Sequence, residues 1–174
     1  MKLEIWLTAD SHFSHKNIIA YESRPFVNTE EMDEGLIESW NANIKENDLV
    51  FHMGDLFFGN KEKQFEIAKR LNGRKILILG NHDKLSNKRY MDLGFNPYKQ
   101  YIFEDYLLTH HPQQERPLSV LIENTHIKGN VHGHIHSKKM DNQLIYLCVS
   151  IEHGYKPFHI DEVREHFLKN QFVA

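Results

Sequence analysis

The chain has 174 residues, of which 40% are hydrophobic and 26% charged, as is typical of a soluble globular protein. Its net charge of −3 argues against a general nucleic-acid coat or an anionic membrane surface as the main partner. The single cysteine, Cys148, excludes an internal disulfide and is typical of a reducing compartment. The apolar run at the N-terminus is too short and too acidic for a signal peptide. We therefore expect one cytoplasmic domain over residues 1–174.

Strands and helices alternate in the predicted first half. Apolar runs predict strands over residues 3–8, 48–52 and 75–79. Apolar residues spaced three to five apart predict helices over residues 30–44 and 61–71, with Asn28-Thr29 capping the first and Asn72-Gly73 ending the second. Such alternation is typical of an α/β domain whose strands are buried on both faces.

Short strands dominate the predicted second half. We expect them around residues 98–103, 106–109, 128–132, 144–149 and 157–160, followed by a closing helix over residues 161–169 that Asp161 caps.

Five short motifs rich in metal-binding side chains lie at the ends of predicted strands. Ligands of open α/β sheets bind beyond the carboxyl ends of the strands, so these motifs are expected to converge. Seven candidate ligands are too many for one ion but suit two ions that share a carboxylate. The motifs are Asp10-Ser11-His12, Gly54-Asp55, Gly80-Asn81-His82-Asp83, His110-His111 and Gly133-His134-Ile135-His136.

Two of these motifs place donors at alternate positions. Asp10 and His12 are two residues apart, as are His134 and His136. In an extended segment side chains alternate with period two, so each pair is expected to face one side. Each motif alone is also compatible with an ordinary turn after a strand; the combination of all five predicts a site.

The motif set resembles the calcineurin-like metallophosphoesterase family, particularly its small single-domain members from bacteria and their phages. The family's patterns D-x-H, G-D, G-N-H-D/E, H and G-H-x-H are all present between residues 10 and 136. The resemblance implies an α/β fold of the four-layer αββα type, in which two mixed β-sheets are flanked by helices. It also implies a two-metal site at the strand ends.

The resemblance further implies a role for each motif residue. Manganese is the first expectation for both divalent ions, with iron, nickel, zinc and cobalt as alternatives. His82 would face the substrate and protonate the leaving oxygen, and Asp83 would orient His82. One ion would be held by Asp10, His12 and His136, the other by Asn81, His110 and His134, and both by Asp55.

The fourth motif offers two adjacent histidines for one ligand position. Relatives often carry H-x-P here with an aromatic residue in the middle, which favours His110 as the ligand. Adjacent residues of a strand face opposite sides, so we expect only one of His110 and His111 to point into the site.

Residues that contact the substrate are harder to identify. His15 lies close enough to the first motif to reach the substrate, although a surface position at a helix start is an alternative. Arg24 follows in an irregular stretch where its guanidinium could bind phosphate through two parallel hydrogen bonds. A solvated loop is the alternative. Lys84, Lys88 and Arg89 follow the third motif, where they form either a positive rim or a solvated face.

The sequence thus predicts a dinuclear-metal-dependent phosphoesterase that acts through a hydroxide shared by the metals. We expect it to hydrolyse phosphodiester bonds of a nucleotide or short oligonucleotide, without a membrane or an obligate protein partner. One alternative is a phosphomonoesterase acting on a protein or a small molecule. Another is a non-catalytic scaffold of the same fold, which His82 and the complete ligand set argue against.

Overall fold

Two mixed β-sheets pack face to face in the computed structural model, which describes residues 3–170. The first sheet contains β1 (Ile5–Thr8), β2 (Leu49–His52), β3 (Arg74–Ile78), β4 (Phe95–Tyr98) and β9 (Phe158–His159). Their order is β4-β3-β2-β1-β9. Strands β1 to β4 are parallel, and β9 runs antiparallel to β1.

The second sheet is also mixed. It contains β5 (Tyr101–Phe103), β6 (Tyr106–Thr109), β7 (Gly129–His132) and β8 (Tyr146–Cys148), in that order. Strand β5 runs antiparallel to β6, whereas β6, β7 and β8 are parallel. The carboxyl ends of the parallel strands in each sheet are therefore aligned within that sheet.

Helices cover the outer faces of both sheets. The helices are α1 (Lys16–Tyr21), α2 (Thr29–Asn43), α3 (Lys61–Arg70), α4 (Asn87–Asp92), α5 (Glu115–Asn124) and α6 (Ile160–Asn170). Buried residues of α2, α3 and α4 pack with Val50 and Leu77 of the first sheet, and Leu118 of α5 packs with Leu107 and Tyr146 of the second. The predicted four-layer sandwich is confirmed. Within residues 3–170, no helix is long and apolar enough to cross a membrane.

The core between the sheets fixes the position of the strand ends. Leu7, Phe51 and Ile78 of the first sheet pack with Leu108 and Val131 of the second, and all five are fully buried. Each such side chain contributes roughly 1.5–3 kcal/mol by burial. Because this core clamps both sheets together, the loops that follow their strands emerge at one edge of the sandwich.

Most predicted elements of the first half are confirmed, with bounds shifted by one or two residues. The Asn28 side chain accepts a hydrogen bond from Glu31 N at 2.8 Å and so caps α2, and Gly73 ends the α3 region with a φ of +91°. The closing helix begins at Ile160, so Asp161 lies in its first turn and is not its cap. Helices α1, α4 and α5 were not predicted; each buries only one residue, which gives little periodic signal.

His52 is a buried neutral histidine at the end of β2. Its ring stacks on Trp40 with 6.2 Å between ring centroids, and its Nε2 lies 2.8 Å from Ser11 Oγ. Burial lowers the pKa of His52 from 6.5 to about 3. Folding at acidic pH is therefore opposed by protonation of this side chain in the unfolded chain.

We expect the metal-free protein to lose stability as the pH falls from about 6.5 towards 3. Unfolded His52 binds a proton in this window, whereas folded His52 stays neutral, so the free energy of unfolding falls by up to about 1.4 kcal/mol per pH unit from this group. Urea denaturation in EDTA at a series of pH values measures the slope. His52→Gln should flatten it by about one proton, and His126→Gln, at an exposed histidine, should not. Equal slopes in wild type and His52→Gln would contradict this prediction.

Candidate metal centre

The first two motifs are joined backbone to backbone beyond the ends of β1 and β2. Thr8 and His52 are paired at the ends of these strands. Beyond them, Asp10 N donates to Gly54 O, and His12 N donates to Asp55 O, both at 3.0 Å. The pairing therefore continues past the strands and carries the donors of both motifs to one place.

The last two motifs close onto the first from the second sheet. Gly133 N donates to His110 O at 3.0 Å. His134 N donates to Asp10 Oδ2 at 2.8 Å, and Ser150 Oγ donates to the same oxygen at 2.5 Å. One carboxylate oxygen of Asp10 thus joins the two sheets, while the other remains free to bind.

The backbone at five of the seven predicted ligands is left-handed, not extended. The prediction that alternate donors share a side of an extended segment is therefore wrong, although the donors do converge. A left-handed residue turns the chain sharply, at a cost of about 1–3 kcal/mol each for side chains other than glycine. Five of the nine such non-glycine residues in the described chain are predicted ligands, with φ between 50° and 71°: Asp10, His12, Asp55, His134 and His136.

Glycines precede several donors because the loops approach each other closely. A Cβ on Gly54, whose φ is +85°, would lie 2.6 Å from both Gly80 N and His110 Nδ1. A Cβ on Gly133 would lie 2.5 Å from Asp10 Oδ2. Any side chain at these positions would push apart the loops that hold the donors.

The first donor group consists of Asp10, His12 and His136, whose ligand atoms lie within 4.8 Å of one another. His12 is 2% exposed, yet neither of its ring nitrogens has a hydrogen-bond partner, and Asp10 Oδ1 has none either. His12 Nε2 lies 4.0 Å from Asp10 Oδ1 and 3.7 Å from Asp55 Oδ2. Buried polar atoms without partners are unfavourable by about 1–3 kcal/mol each. A divalent cation between them would satisfy Asp10 Oδ1 and one ring nitrogen of His12, since an imidazole binds a given ion through only one of its nitrogens.

The second donor group contains Asn81, His110 and His134. His110 Nδ1 lies 2.7 Å from Met53 O, so this nitrogen carries the proton and donates it. His110 Nε2 then presents a lone pair, 2.9 Å from Asn81 Oδ1 and 3.5 Å from Asp55 Oδ2. Perpendicular ligands of an ion at about 2.1 Å lie about 3 Å apart. The facing lone pairs of His110 and Asn81 therefore fit a bound cation. The centroids of the His134 and His110 rings are 5.0 Å apart.

His111 also faces this group, which overturns the prediction that only one of the adjacent histidines points into the site. Its ring nitrogen lies within 4.8 Å of those of His110 and His134. Strand β6 ends at Thr109, so strand alternation does not apply to the two residues that follow. His110 is buried and contacts Asn81, whereas His111 is exposed. The contacts favour His110 as the ligand.

Asp55 lies between the two donor groups. Its Oδ2 is 3.7 Å from His12 Nε2 and 3.5 Å from His110 Nε2. Its Oδ1 accepts a hydrogen bond from His82 N at 2.8 Å, which orients the carboxylate. This position suits a carboxylate shared by two ions.

Burial favours the neutral form that binds metals at His12, His110 and His134. It lowers the pKa of His12 far below its usual range and is the largest factor that lowers the pKa of both His110 and His134 to about 4. At His136, by contrast, burial is outweighed by the hydrogen bond with Glu152 and the charges of Asp10 and Glu152, which raise the pKa. Burial also raises the pKa of Asp10 to about 7. A bound cation would offset that effect and keep the Asp10 carboxylate ionised.

His82 stands at the open side of the two donor groups. It is exposed, and its ring centroid lies 5.9 Å from that of His12 and 5.1 Å from that of Phe58. The predicted substrate-side residue His15 also packs on Phe58, with 3.8 Å and 7° between the two rings. His15 and His82 therefore flank one aromatic side chain beside the site.

Asp83 has a different role from the predicted one of orienting His82. Its carboxylate accepts hydrogen bonds from four other groups: Gly80 N at 2.8 Å, Asp55 N at 2.7 Å, Leu56 N at 3.2 Å and Tyr90 Oη at 3.1 Å. In the described chain the His82 ring makes no hydrogen bond to it. Asp83 therefore fastens the third motif to the second and acts on His82 only through the backbone.

Arg24 is not placed to contact a substrate, contrary to the prediction. Its side chain is fully buried beneath the first motif. Its guanidinium donates to Ser11 O at 2.8 Å, to Asp10 O at 2.7 Å and to Glu152 Oε1 at 2.6 Å. Since these partners and Met32 Sδ engage Nε and both terminal nitrogens, none remains for a phosphate.

Glu152 is a site residue that the sequence analysis missed. Its Oε1 lies 3.1 Å from His136 Nδ1 and accepts from Arg24. Burial alone would raise the pKa of Glu152, but the hydrogen bond with His136 and the charge of Arg24 hold it below its usual range. His136 Nδ1 therefore carries the proton and Nε2 is left free for an ion. No local motif marks Glu152, because its partners are 16 and 128 positions away.

We expect Glu152→Gln to weaken metal binding at the Asp10, His12 and His136 group by about 10–100-fold, the usual effect of losing a residue that orients a ligand. Competition with a metal chelator measures the affinity, and circular dichroism checks the fold. The matched control is Glu38→Gln, at an exposed glutamate on α2, which should bind metal like wild type. Unchanged affinity in Glu152→Gln would show that His136 does not need this partner.

The chain is similar to known proteins over most of its length. The calcineurin-like phosphoesterase superfamily domain matches residues 3–150. The uncharacterized protein MJ1445 of Methanocaldococcus jannaschii is 35% identical over 98% of this chain and 94% of its own length. The gene 66 protein of Mycobacterium phage L5 is 35% identical over 45% of this chain and 39% of its own length.

A solved structure shares the fold. The protein of unknown function AQ665 from Aquifex aeolicus superposes with a TM-score of 0.73 at 26% sequence identity, covering 94% of this chain and 99% of that chain. With the domain match over most of its length and a relative aligned along nearly all of it, the chain belongs to the calcineurin-like phosphoesterase superfamily.

Proposed function

We propose that this protein is a metal-dependent phosphoesterase that hydrolyses phosphodiester bonds of a nucleotide-type substrate. The observation that carries the proposal is the pair of donor groups that meet at Asp55. Their buried atoms lack hydrogen-bond partners at His12 and Asp10, which is unfavourable unless a cation binds. Family membership supports the same chemistry.

Seven residues would hold two divalent ions, with manganese the first candidate and iron, nickel, zinc and cobalt the alternatives. When bound, the ions supply positive charge that activates water and offsets the charge of the phosphoryl oxygens. Asp55 would be shared, with Asp10, His12 and His136 on one side and Asn81, His110 and His134 on the other.

We propose that His82 donates a proton to the leaving oxygen. Its exposed ring lies beside the first donor group, and its backbone N–H is held by Asp55 Oδ1 at 2.8 Å. Asp83 supports this placement through the loop backbone. His15, stacked on Phe58 near His82, is proposed to contact the substrate.

The preference for a diester comes from the surface beside His82. The depression that contains His82 and Phe58 is also lined by Lys84 and Leu85, so a substrate could extend over these residues beyond the reacting phosphate. A phosphomonoesterase would need no such extension. The non-catalytic scaffold is disfavoured by the exposed His82 and the complete donor set.

A cytoplasmic location is part of the same proposal. Cys148 is buried, and burial raises the pKa of its thiol to about 11. Such a thiol is unreactive, as expected for a structural cysteine in a reducing compartment.

Asp55→Asn should lower the occupancy of both ions, because it weakens the ligand that they share. Elemental analysis of manganese-loaded protein is expected to give about two ions per wild-type chain and markedly fewer in the variant. Asp92→Asn, at an exposed aspartate on α4, is the control and should keep both. Loss of a single ion in Asp55→Asn would count against sharing.

His82→Ala should keep both ions and slow turnover by roughly 100-fold or more, the usual scale for losing a general acid. The decrease should be largest for nucleoside esters and smaller for nitrophenyl esters, whose leaving oxygen hardly needs a proton. Steady-state kinetics on both substrates, with metal analysis of the same samples, tests this. A variant that loses metal, or that is slowed equally on both substrates, would refute the assignment.

A further inference from the structure

A surface groove of about 640 Å³ lies beside the third motif, between α3 and the start of α4. It shares Lys84 and Leu85 with a smaller depression of about 290 Å³ that is lined by His82 and Phe58. The two depressions therefore adjoin at Lys84 and Leu85, next to the proposed proton donor. Their volumes lie near the range of about 300–1,000 Å³ that is usual for small-molecule sites.

The groove is positively charged in a chain of net charge −3. Lys61, Lys84 and Arg89 line it, against a single carboxylate from Glu62. Within residues 3–170, none of these three cations forms an ion pair. Arg89 Nε is buried without a hydrogen-bond partner, so part of the hydrogen-bonding capacity of this guanidinium is unmet within the described residues.

An exposed aromatic ring completes the groove. Phe65 on α3 is 42% exposed and lines the groove beside the cations. Lys69 Nζ lies 4.3 Å from the centroid of its ring, which adds a further positive charge nearby. Cations that follow a backbone, together with an aromatic ring on which a base stacks, are the combination by which proteins bind single-stranded nucleic acid.

We propose that this groove binds the nucleotide that flanks the scissile phosphate in a single-stranded nucleic-acid substrate. Lys84 and Arg89 contact the flanking phosphate, and Phe65 stacks on the flanking base. The inference rests on the proposed function, because the groove is an extension of that substrate site. It explains why the cations that follow the third motif accumulate in an otherwise acidic protein.

The binding test uses fluorescein-labelled trithymidylate and triuridylate, whose anisotropy is measured in EDTA so that no turnover occurs. The double variant Lys84→Ala/Arg89→Ala should raise Kd about ten-fold, and the slope of log Kd against log salt should fall by about 0.7 for each phosphate that is no longer neutralised. Phe65→Ala should raise Kd about five-fold or more without changing that slope. A preference between the two oligonucleotides distinguishes DNA from RNA as the source of the strand.

The matched control is Lys88→Ala, which removes one positive charge from the helix that carries Arg89 but outside the groove lining. Its Kd should stay within about two-fold of wild type. Thermal unfolding followed by circular dichroism verifies that all variants are folded. No binding by wild type, or equal weakening in Lys88→Ala and the double variant, would overturn the proposal.

A kinetic arm separates this inference from the proposed function. With Mn²⁺, the ratio of kcat/KM for the trinucleotide to kcat/KM for bis(4-nitrophenyl) phosphate should fall about ten-fold in the double variant. An equal decrease on both substrates would overturn the groove assignment. If wild type hydrolyses neither substrate, the proposed function fails, and the anisotropy experiment still decides whether the groove binds single strands.

Discussion

The convergence of buried lone pairs at Asp55 is the constraint on which the rest of the structure depends. Its Oδ2 lies within 3.7 Å of imidazole nitrogens from two different motifs. Without a cation such an arrangement is unfavourable, because buried polar atoms of His12 and Asp10 have no hydrogen-bond partner. The rest of the fold must therefore hold them in place at a cost in stability that only binding recovers.

Two structural features hold the metal-ligand side chains near Asp55. Left-handed backbone at Asp10, His12 and Asp55 turns the chain sharply just beyond the parallel strands, and the carboxylate of Asp83 accepts hydrogen bonds from N–H groups of the second and third motifs. The core between the sheets makes both possible, because it fixes the ends of the strands from which the loops begin. The free energy gained by apolar burial in the core thus offsets the backbone strain at the site.

The sequence predicted what depends on local pattern and missed what depends on distant contacts. Helix α2 and its Asn28 cap follow from spacing within a few residues, and the seven donors follow from motifs at strand ends. Left-handed φ is more frequent at Asp and His than at most other residues, but residue type alone does not decide it, and the extended geometry expected at His134 was wrong. The pair of Arg24 and Glu152 spans 128 positions, and no single-sequence pattern relates two such residues.

Because Arg24 is buried, it is not available to contact a phosphate-ester substrate. An exposed arginine would bind phosphate oxygens directly as a fork, but here the guanidinium is engaged with Glu152 and with the backbone of the first motif. Arg24 therefore acts on the site through Glu152, which accepts hydrogen bonds from Arg24 and keeps the proton of His136 on Nδ1. Under the proposed function, positive charge at the reacting phosphate comes from the bound ions, and further cationic contacts lie outside the two donor groups. Lys84 and Arg89 line the groove beside the depression that contains His82, so the proposal assigns recognition of positions beyond the scissile bond to residues that take no part in the chemistry.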